Sequence, residues 1–254
     1  MMAIESKLLD VGPSDQNIVD LFQGEWSSRM PGDLVAEPGH AELFADHRLH
    51  WANTLIGPFA DLDVLELGPL EGAHATLLEG LGARSVTSVE ANPRAFLKCL
   101  CVKELFGLTR TRFKLGSFLP YLESCGRYDA VIACGVLYHM AEPLRLLDLI
   151  TARTDRVFLW THVHQADIVG TRGDRALFWP PLPIDGTPYR GARRLYPDIA
   201  KSWQGFSGGG ESHAVWLERD SLLAYFRDRG FTVTIDFDES DHVNGPALAL
   251  CARR

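Results

Sequence analysis

Short apolar runs recur through the middle of the chain, separated by stretches with helical spacing. Asp63–Leu67 is a run of strand length that ends in glycine, and 72–81 has the pattern of a helix. Ser85–Val89 predicts the next strand. Asn92 then precedes Pro93, an N-cap followed by the residue best suited to a first helical turn, and this helix runs to about Phe106. Thr111–Leu115 and Tyr128–Ala133 read as strands, Pro143 opens a helix ending near Ala152, and Arg156–Thr161 reads as a fifth strand. Beyond residue 216, Leu222, Leu223 and Phe226 line one face of a helix over 219–229 that Gly230 stops. Two last strands, Phe231–Phe237 and Pro246–Cys251, flank a turn-rich Glu239–Gly245. Strands alternating with helices predict an α/β, doubly wound, mostly parallel sheet with right-handed crossovers. The final pair predicts an antiparallel closing hairpin.

Two zones lie outside this alternation. Residues 1–58 mix polar residues with Phe22, Trp26, Phe44 and Trp51, and are expected to form an N-terminal helical cap on a domain spanning 59–254. Residues 165–215 are rich in Pro, Gly and aromatics and are too long for a plain connector. Placed at the carboxyl edge of a sheet, such an insertion serves as a lid or substrate wall. Its aromatics also suit a satellite core or an oligomer interface, which leaves self-association open.

Composition narrows the classes of partner. The chain has 254 residues, 46% of them hydrophobic, and a formal net charge of −8 from 33 acidic and 25 basic residues. That balance argues against a nucleic-acid backbone as partner, which requires clustered Lys and Arg. No apolar run reaches the roughly 20 residues of a membrane helix, and the N-terminus lacks a secretion pattern, so a cytoplasmic protein without a membrane partner is expected. The five cysteines, Cys99, Cys101, Cys125, Cys134 and Cys251, sit mostly in apolar segments and read as buried thiols.

The most informative stretch is Glu66-Leu67-Gly68-Pro69-Leu70-Glu71-Gly72, where a strand feeds a glycine turn and then a helix. In open α/β sheets ligands bind at this carboxyl edge, and glycine lets them approach the backbone. Glu90 ends the next strand about 20 residues further on, where a carboxylate accepts ribose hydroxyls. A dinucleotide dehydrogenase wants GxGxxG at this turn, and the chain has no GxG there.

Glu66, Gly68, Gly72, Glu90, Gly116-Ser117-Phe118 and Tyr128-Asp129 together resemble class I S-adenosylmethionine-dependent methyltransferases, over roughly 60–164 and 216–254. Gly135-Val136-Leu137-Tyr138-His139-Met140-Ala141-Glu142-Pro143 resembles the segment after the fourth strand of small-molecule methyltransferases, and its Leu-Tyr-His is similar to that of tRNA wobble-uridine carboxymethyltransferases. Two positions depart from the pattern: Leu70 stands at the middle glycine of the motif, and Ser117 at the usual adenine-side Asp.

The resemblance implies a seven-stranded class I fold and S-adenosylmethionine as cofactor. It implies cofactor contacts at Glu66, Gly68, Pro69, Gly72, Glu90, Ala91, Ser117, Phe118, Cys134 and Gly135. Arg48 is a candidate for a bidentate pair with the cofactor carboxylate. Methyl transfer is an in-line displacement, and a hydroxyl or ammonium acceptor must also lose a proton, so His139, Tyr138 and His162 are the catalytic candidates. His162 and His164 share a face of their strand by alternation. His164, Trp179, Tyr189 and Trp203 are candidate substrate contacts, and no metal ligand set is assigned. The expected reaction is methylation of an oxygen or nitrogen of a small metabolite. An RNA-modifying methyl- or carboxymethyltransferase, a non-catalytic cofactor-binding protein and an NAD-dependent oxidoreductase are the alternatives.

Overall fold

The computed structural model describes residues 8–198 and 210–254. Its centre is a seven-stranded sheet. The five parallel strands are β3 (Asp63–Leu67), β4 (Ser85–Glu90), β5 (Thr111–Leu115), β6 (Ala130–Cys134) and β7 (Arg156–His162). They are joined to an antiparallel pair, β11 (Thr232–Glu239) and β12 (Ala247–Arg253), in the order β11-β12-β7-β6-β3-β4-β5. Chain order reverses between β3 and β6, which is the switch point where open α/β sheets leave a crevice.

Both faces of the sheet are covered, which is why its inner strands read as nearly unbroken apolar runs. Leu65, Leu67, Val131, Val157 and Leu159 face one cluster with Leu146, Leu147, Ile150, Tyr225 and Phe226. Val64, Ile132, Phe158 and Trp160 face another with Leu49, Ile56, Phe59 and Leu78. The edge strand β11 alternates exposed Thr232, Thr234, Asp236 and Asp238 with half-buried Val233, Ile235 and Phe237.

The helices start where their sequences predict. Asn92 Oδ1 caps Pro93–Leu105 by accepting from the Arg94 and Ala95 amides. Helix Phe118–Ser124, which the pattern did not predict, is capped by Ser117 Oγ accepting from Leu119 N.

The N-terminal segment holds more than helices. Helix Asp15–Asp20 is followed by β1 (Trp26–Ser28) and β2 (Pro38–Ala41), a short parallel pair, before helix His47–Leu55. Trp26 and Phe22 pack edge to face with each other, in one apolar cluster with Val102 of the long helix. Glu71, in the turn after β3, accepts from the amides of Ser27 and Ser28 and pairs with Lys98, so the N-terminal segment is bonded to the glycine turn itself.

The 165–215 insertion also has structure of its own. β8 (Leu182–Pro183), β9 (Arg190–Leu195) and β10 (His213–Leu217) form an antiparallel sheet. Arg194 pairs with Ala214, and Ala192 with Trp216, so Arg194, Trp216 and the following Tyr196 project from one face. Among the described residues, no helix is long and apolar enough to cross a membrane.

Candidate functional site

The turn after β3 alternates left-handed backbone: φ is +66° at Gly68, +55° at Leu70 and +84° at Gly72. Glycine adopts this at no steric cost and leucine does not. A Cβ at Gly68 would lie 2.6 Å from Val136 Cγ1, so the turn and the start of the segment after β6 fit only without a side chain there. Leu70 takes the left-handed conformation all the same, and its amide donates to Glu90 Oε2 at 3.2 Å. Glu90 Oε1 accepts from Asn92 N at 2.7 Å. The carboxylate is thus fixed between the two turns, 8% exposed, and burial raises its pKa while the backbone amides oppose that rise. Pro69 is buried, and Ala91 is exposed next to Glu90 in the chain.

Glu66 accepts from Ser88 Oγ at 2.6 Å, and burial raises its pKa as well. Its other oxygen lies 4.0 Å from His74 Nδ1. His74 Nε2 donates to Asp46 Oδ2 at 2.9 Å, and Arg48 forks the same carboxylate through Nε and Nη2. Burial opposes the charge on Asp46, but the hydrogen bonds from His74 and Arg48 outweigh it and hold the carboxyl well below its usual range. The Arg48 fork predicted for a cofactor carboxylate is therefore engaged by Asp46, and its guanidinium lies 4.8 Å from the Trp160 ring centroid.

Cys134 ends β6 beside this network, and burial pushes its thiol up to about 12. Ligand atoms of Asp46, His74 and Cys134 fall within 4.8 Å of one another. The Arg48 cation on the Asp46 carboxylate marks the group as a hydrogen-bond network rather than a metal cage. No spacing in the sequence connects His74 with Asp46, 28 residues away.

Past Gly135, whose φ is +81°, the chain makes a short 3-10 turn over Leu137–His139. That turn brings Tyr138 and His139 to the end of β7. Tyr138 lies edge-on to Trp160, His162 and Trp216, with centroids 5.9, 4.6 and 6.2 Å away. His162 stacks on Trp216 and meets His242 of the closing hairpin at 5.0 Å. Its Nδ1 lies 2.9 Å from the Gly245 carbonyl. A carbonyl only accepts, so the proton sits on Nδ1, and the Nε2 lone pair is left for another partner. His139 Nδ1 is hydrogen-bonded to the Tyr196 hydroxyl at 2.9 Å. Burial lowers both histidines to about 4, and the neighbouring Arg194 charge acts in the same direction. His139, Tyr138 and His162 thus share one aromatic chamber at the carboxyl edge of β6 and β7. His164 joins its rim, 6.0 Å from Phe178.

Other predicted contacts stand apart. Tyr189 is buried against Tyr225 and its hydroxyl donates to Asp228, under the Arg219–Asp228 helix rather than in the chamber. Trp179 is exposed, with Arg193 over its ring. Ser117 is spent as a helix cap on its acceptor side, and Phe118 is half-buried against the apolar core. Trp203 lies outside the described residues. Trp160, Arg194, Trp216 and His242 line the chamber without having been singled out. Alternation along 192–196 and 214–216 carries a signal for two of them, but the strand register that joins them is not visible in the sequence. A groove of about 440 Å³ lined by Leu55, Ile56, Thr232, Thr234 and Cys251 lies at the opposite, amino-terminal edge of the sheet and holds none of these groups.

Comparison with known proteins agrees with the fold. No family model matches the chain. The N-terminal domain of EvdMO1, solved in the presence of SAH and D-fucose, superposes with a TM-score of 0.71 at 21% identity, covering 94% of this chain and 93% of that one. An S-adenosylmethionine-dependent methyltransferase from Mesorhizobium loti gives 0.56 at 14% identity, covering 84% and 100%. Magnesium protoporphyrin IX methyltransferase from Synechocystis, with bound SAH, gives 0.54 at 16% identity, covering 82% and 83%.

Among curated sequences, the tRNA U34 carboxymethyltransferase of Shewanella pealeana is 30% identical over 89 residues, 35% of this chain and 27% of the relative. That of Actinobacillus succinogenes is 27% identical over 96 residues, 37% and 30%. The matched stretch thus spans less than a third of those relatives. The fold is that of the class I S-adenosylmethionine-dependent methyltransferases, with the doubly wound sheet and antiparallel hairpin expected from the sequence.

Proposed function

We propose that the protein is an S-adenosylmethionine-dependent methyltransferase acting on an oxygen or nitrogen of a small molecule. The observation that carries this reading is the placement of Gly68, Glu90 and Gly135 around the β3–β6 switch point, directly below the chamber of His139 and His162. When bound, the cofactor supplies an electrophilic methyl group on a sulfonium centre. Glu90 would hold the ribose, since each of its oxygens accepts one backbone hydrogen bond and keeps a lone pair for a hydroxyl. The backbones of Gly68 and Gly135 would approach the methionine part, and Ser117 with Phe118 the adenine.

His162, with Nδ1–H fixed on Gly245, presents Nε2 as the acceptor for the proton of an incoming hydroxyl. The rings of Tyr138, Trp160 and Trp216 exclude water and hold the acceptor in line. The structural neighbour solved with D-fucose favours a hydroxyl-bearing acceptor of modest size.

A second reading is transfer to RNA, motivated by the local match to tRNA U34 carboxymethyltransferases. The net charge of −8 weighs against it. The experiment that separates the two is release of S-adenosylhomocysteine on incubation with hydroxylated small molecules and, in parallel, with unmodified tRNA. Turnover with tRNA alone would replace the first reading by the second.

A further inference from the structure

Among the described residues, three buried polar atoms in and beside the insertion lack a hydrogen-bond partner: Arg194 Nε, Trp216 Nε1 and His164 Nδ1. Nearly all buried polar groups in folded proteins are paired, because an unpaired one costs on the order of 1–3 kcal/mol. These three are not scattered. They surround the Phe178 ring, with the Arg194 guanidinium, the Trp216 ring and the His164 ring at 5.7, 5.0 and 6.0 Å from it. Arg194 and Trp216 also project from the same face of the β9–β10 pair, 5.5 Å apart.

Local charge has the matching sign. The only carboxylate in ion-pair reach of Arg194 among the described residues is Asp174, at 3.7 Å, and that carboxylate is already bonded by Arg172 Nε at 2.9 Å. Two cations therefore share one anion, and the guanidinium otherwise meets the Tyr196 hydroxyl and the faces of Phe178, Tyr196 and Trp216. Arg and Trp N–H groups donate and do not accept, so the partner they await is an oxygen acceptor, and the unbalanced positive charge makes an oxyanion the best one. Trp216 stacks on His162 and the Tyr196 hydroxyl bonds His139, so the rings that hold Arg194 also border the histidines.

We propose that Arg194 and Trp216 form an oxyanion subsite for the acceptor, so that the substrate is a small planar acid carrying its nucleophilic hydroxyl or amine at the His162 end. This rests on the methyltransferase reading for what the subsite serves, though not for its existence. Aromatic walls on three sides suit a flat carboxylic acid better than the backbone phosphate of a polymer.

The probe is benzoate, with neutral benzamide, inorganic phosphate and a short oligouridylate as comparison ligands. Their binding to the full chain is followed by calorimetry and by the indole N–H resonance of Trp216, assigned with Trp216→Phe. Benzoate should saturate and move that resonance, benzamide should not, and Arg194→Met should weaken benzoate about tenfold or more, as loss of a charged hydrogen bond implies. Arg194→Lys, which keeps the charge and loses Nε, should fall between. Circular dichroism verifies that each variant is folded.

Equal benzoate affinity in wild type and Arg194→Met would overturn the proposal. So would the absence of any benzoate-induced shift, which would leave the three atoms to ordered water. Arg194-dependent binding of the oligouridylate alone would transfer the subsite to RNA. A parallel loss of S-adenosylmethionine affinity in Arg194→Met would assign the arginine to the cofactor. Benzoate binding by a wild-type protein that does not bind S-adenosylmethionine would sink the methyltransferase reading and leave the subsite standing.

Discussion

His162 lies flat on Trp216, with ring centroids 4.9 Å apart and planes 10° from parallel, while its Nδ1–H is held by the Gly245 carbonyl. One residue from the end of a core strand is thereby locked in position and tautomer by a ring from the insertion and a backbone carbonyl from the closing hairpin. Three parts of the chain remote in sequence meet at a single imidazole. If that imidazole is the base, His162→Gln should lower turnover by about 100-fold or more while leaving S-adenosylmethionine affinity within a factor of a few. Steady-state rates together with calorimetry on the same variant check this. Unchanged turnover would remove His162 from the mechanism.

Burial also ties His162 to a pH dependence of stability. The unfolded imidazole takes up its proton near 6.5, and the folded one, depressed by burial, only near 4. The folded state thus binds fewer protons between these values, so stability is complete above about pH 6.5 and declines as pH falls toward 4. The slope is about 1.4 kcal/mol per pH unit for one such group. Denaturant titrations at pH 7 and pH 5 should show a smaller loss in His162→Gln than in wild type. Coincident losses would mean that His162 is protonated in the fold.

Asp46 makes the opposite kind of prediction. Its buried carboxylate is the common acceptor of Arg48 and His74, and Asp46→Asn would leave the half-buried Arg48 cation without its partner. A loss on the order of 3 kcal/mol is expected from denaturant midpoints. A loss below about 1 kcal/mol would show that water or a neighbour replaces the carboxylate.

Gly68 meets two constraints at once, a left-handed φ and the nearby Val136 methyl. Gly68→Ala should destabilise by about 1–3 kcal/mol. Adding Val136→Ala should recover the clash but not the backbone strain, so the double variant should be more stable than the sum of the two single changes predicts. Strict additivity in a double-mutant cycle would show that the two sites do not press on each other.

How much of this the sequence revealed follows from the range of the interactions. Strand β3, the Asn92–Pro93 cap and the closing hairpin depend on neighbours within a few residues, and each appears where the pattern places it. The place of Glu90 at the end of β4 was legible because a strand-end carboxylate at a fixed distance from a glycine turn is itself a local spacing. The Asp46–His74 bond joins positions on different helices, and no periodicity reports it. Arg194 and Trp216 face one another through a strand register at the end of a Pro- and Gly-rich insertion that read as a lid or substrate wall, with no strands assigned to it. Tyr189 erred the other way: an aromatic in the insertion looked like a pocket wall, yet its hydroxyl found Asp228 beneath the last helix.

The cofactor is the claim on which the rest depends, and Glu90 is the residue most exposed to test. Purified protein should be titrated calorimetrically with S-adenosylmethionine and S-adenosylhomocysteine, with Glu90→Ala as the control. The account predicts micromolar binding of both ligands by the wild type and a loss of about tenfold or more in Glu90→Ala, the worth of two hydrogen bonds from ribose hydroxyls to a carboxylate. Absence of binding by the folded wild type, or equal binding by the variant, would contradict it.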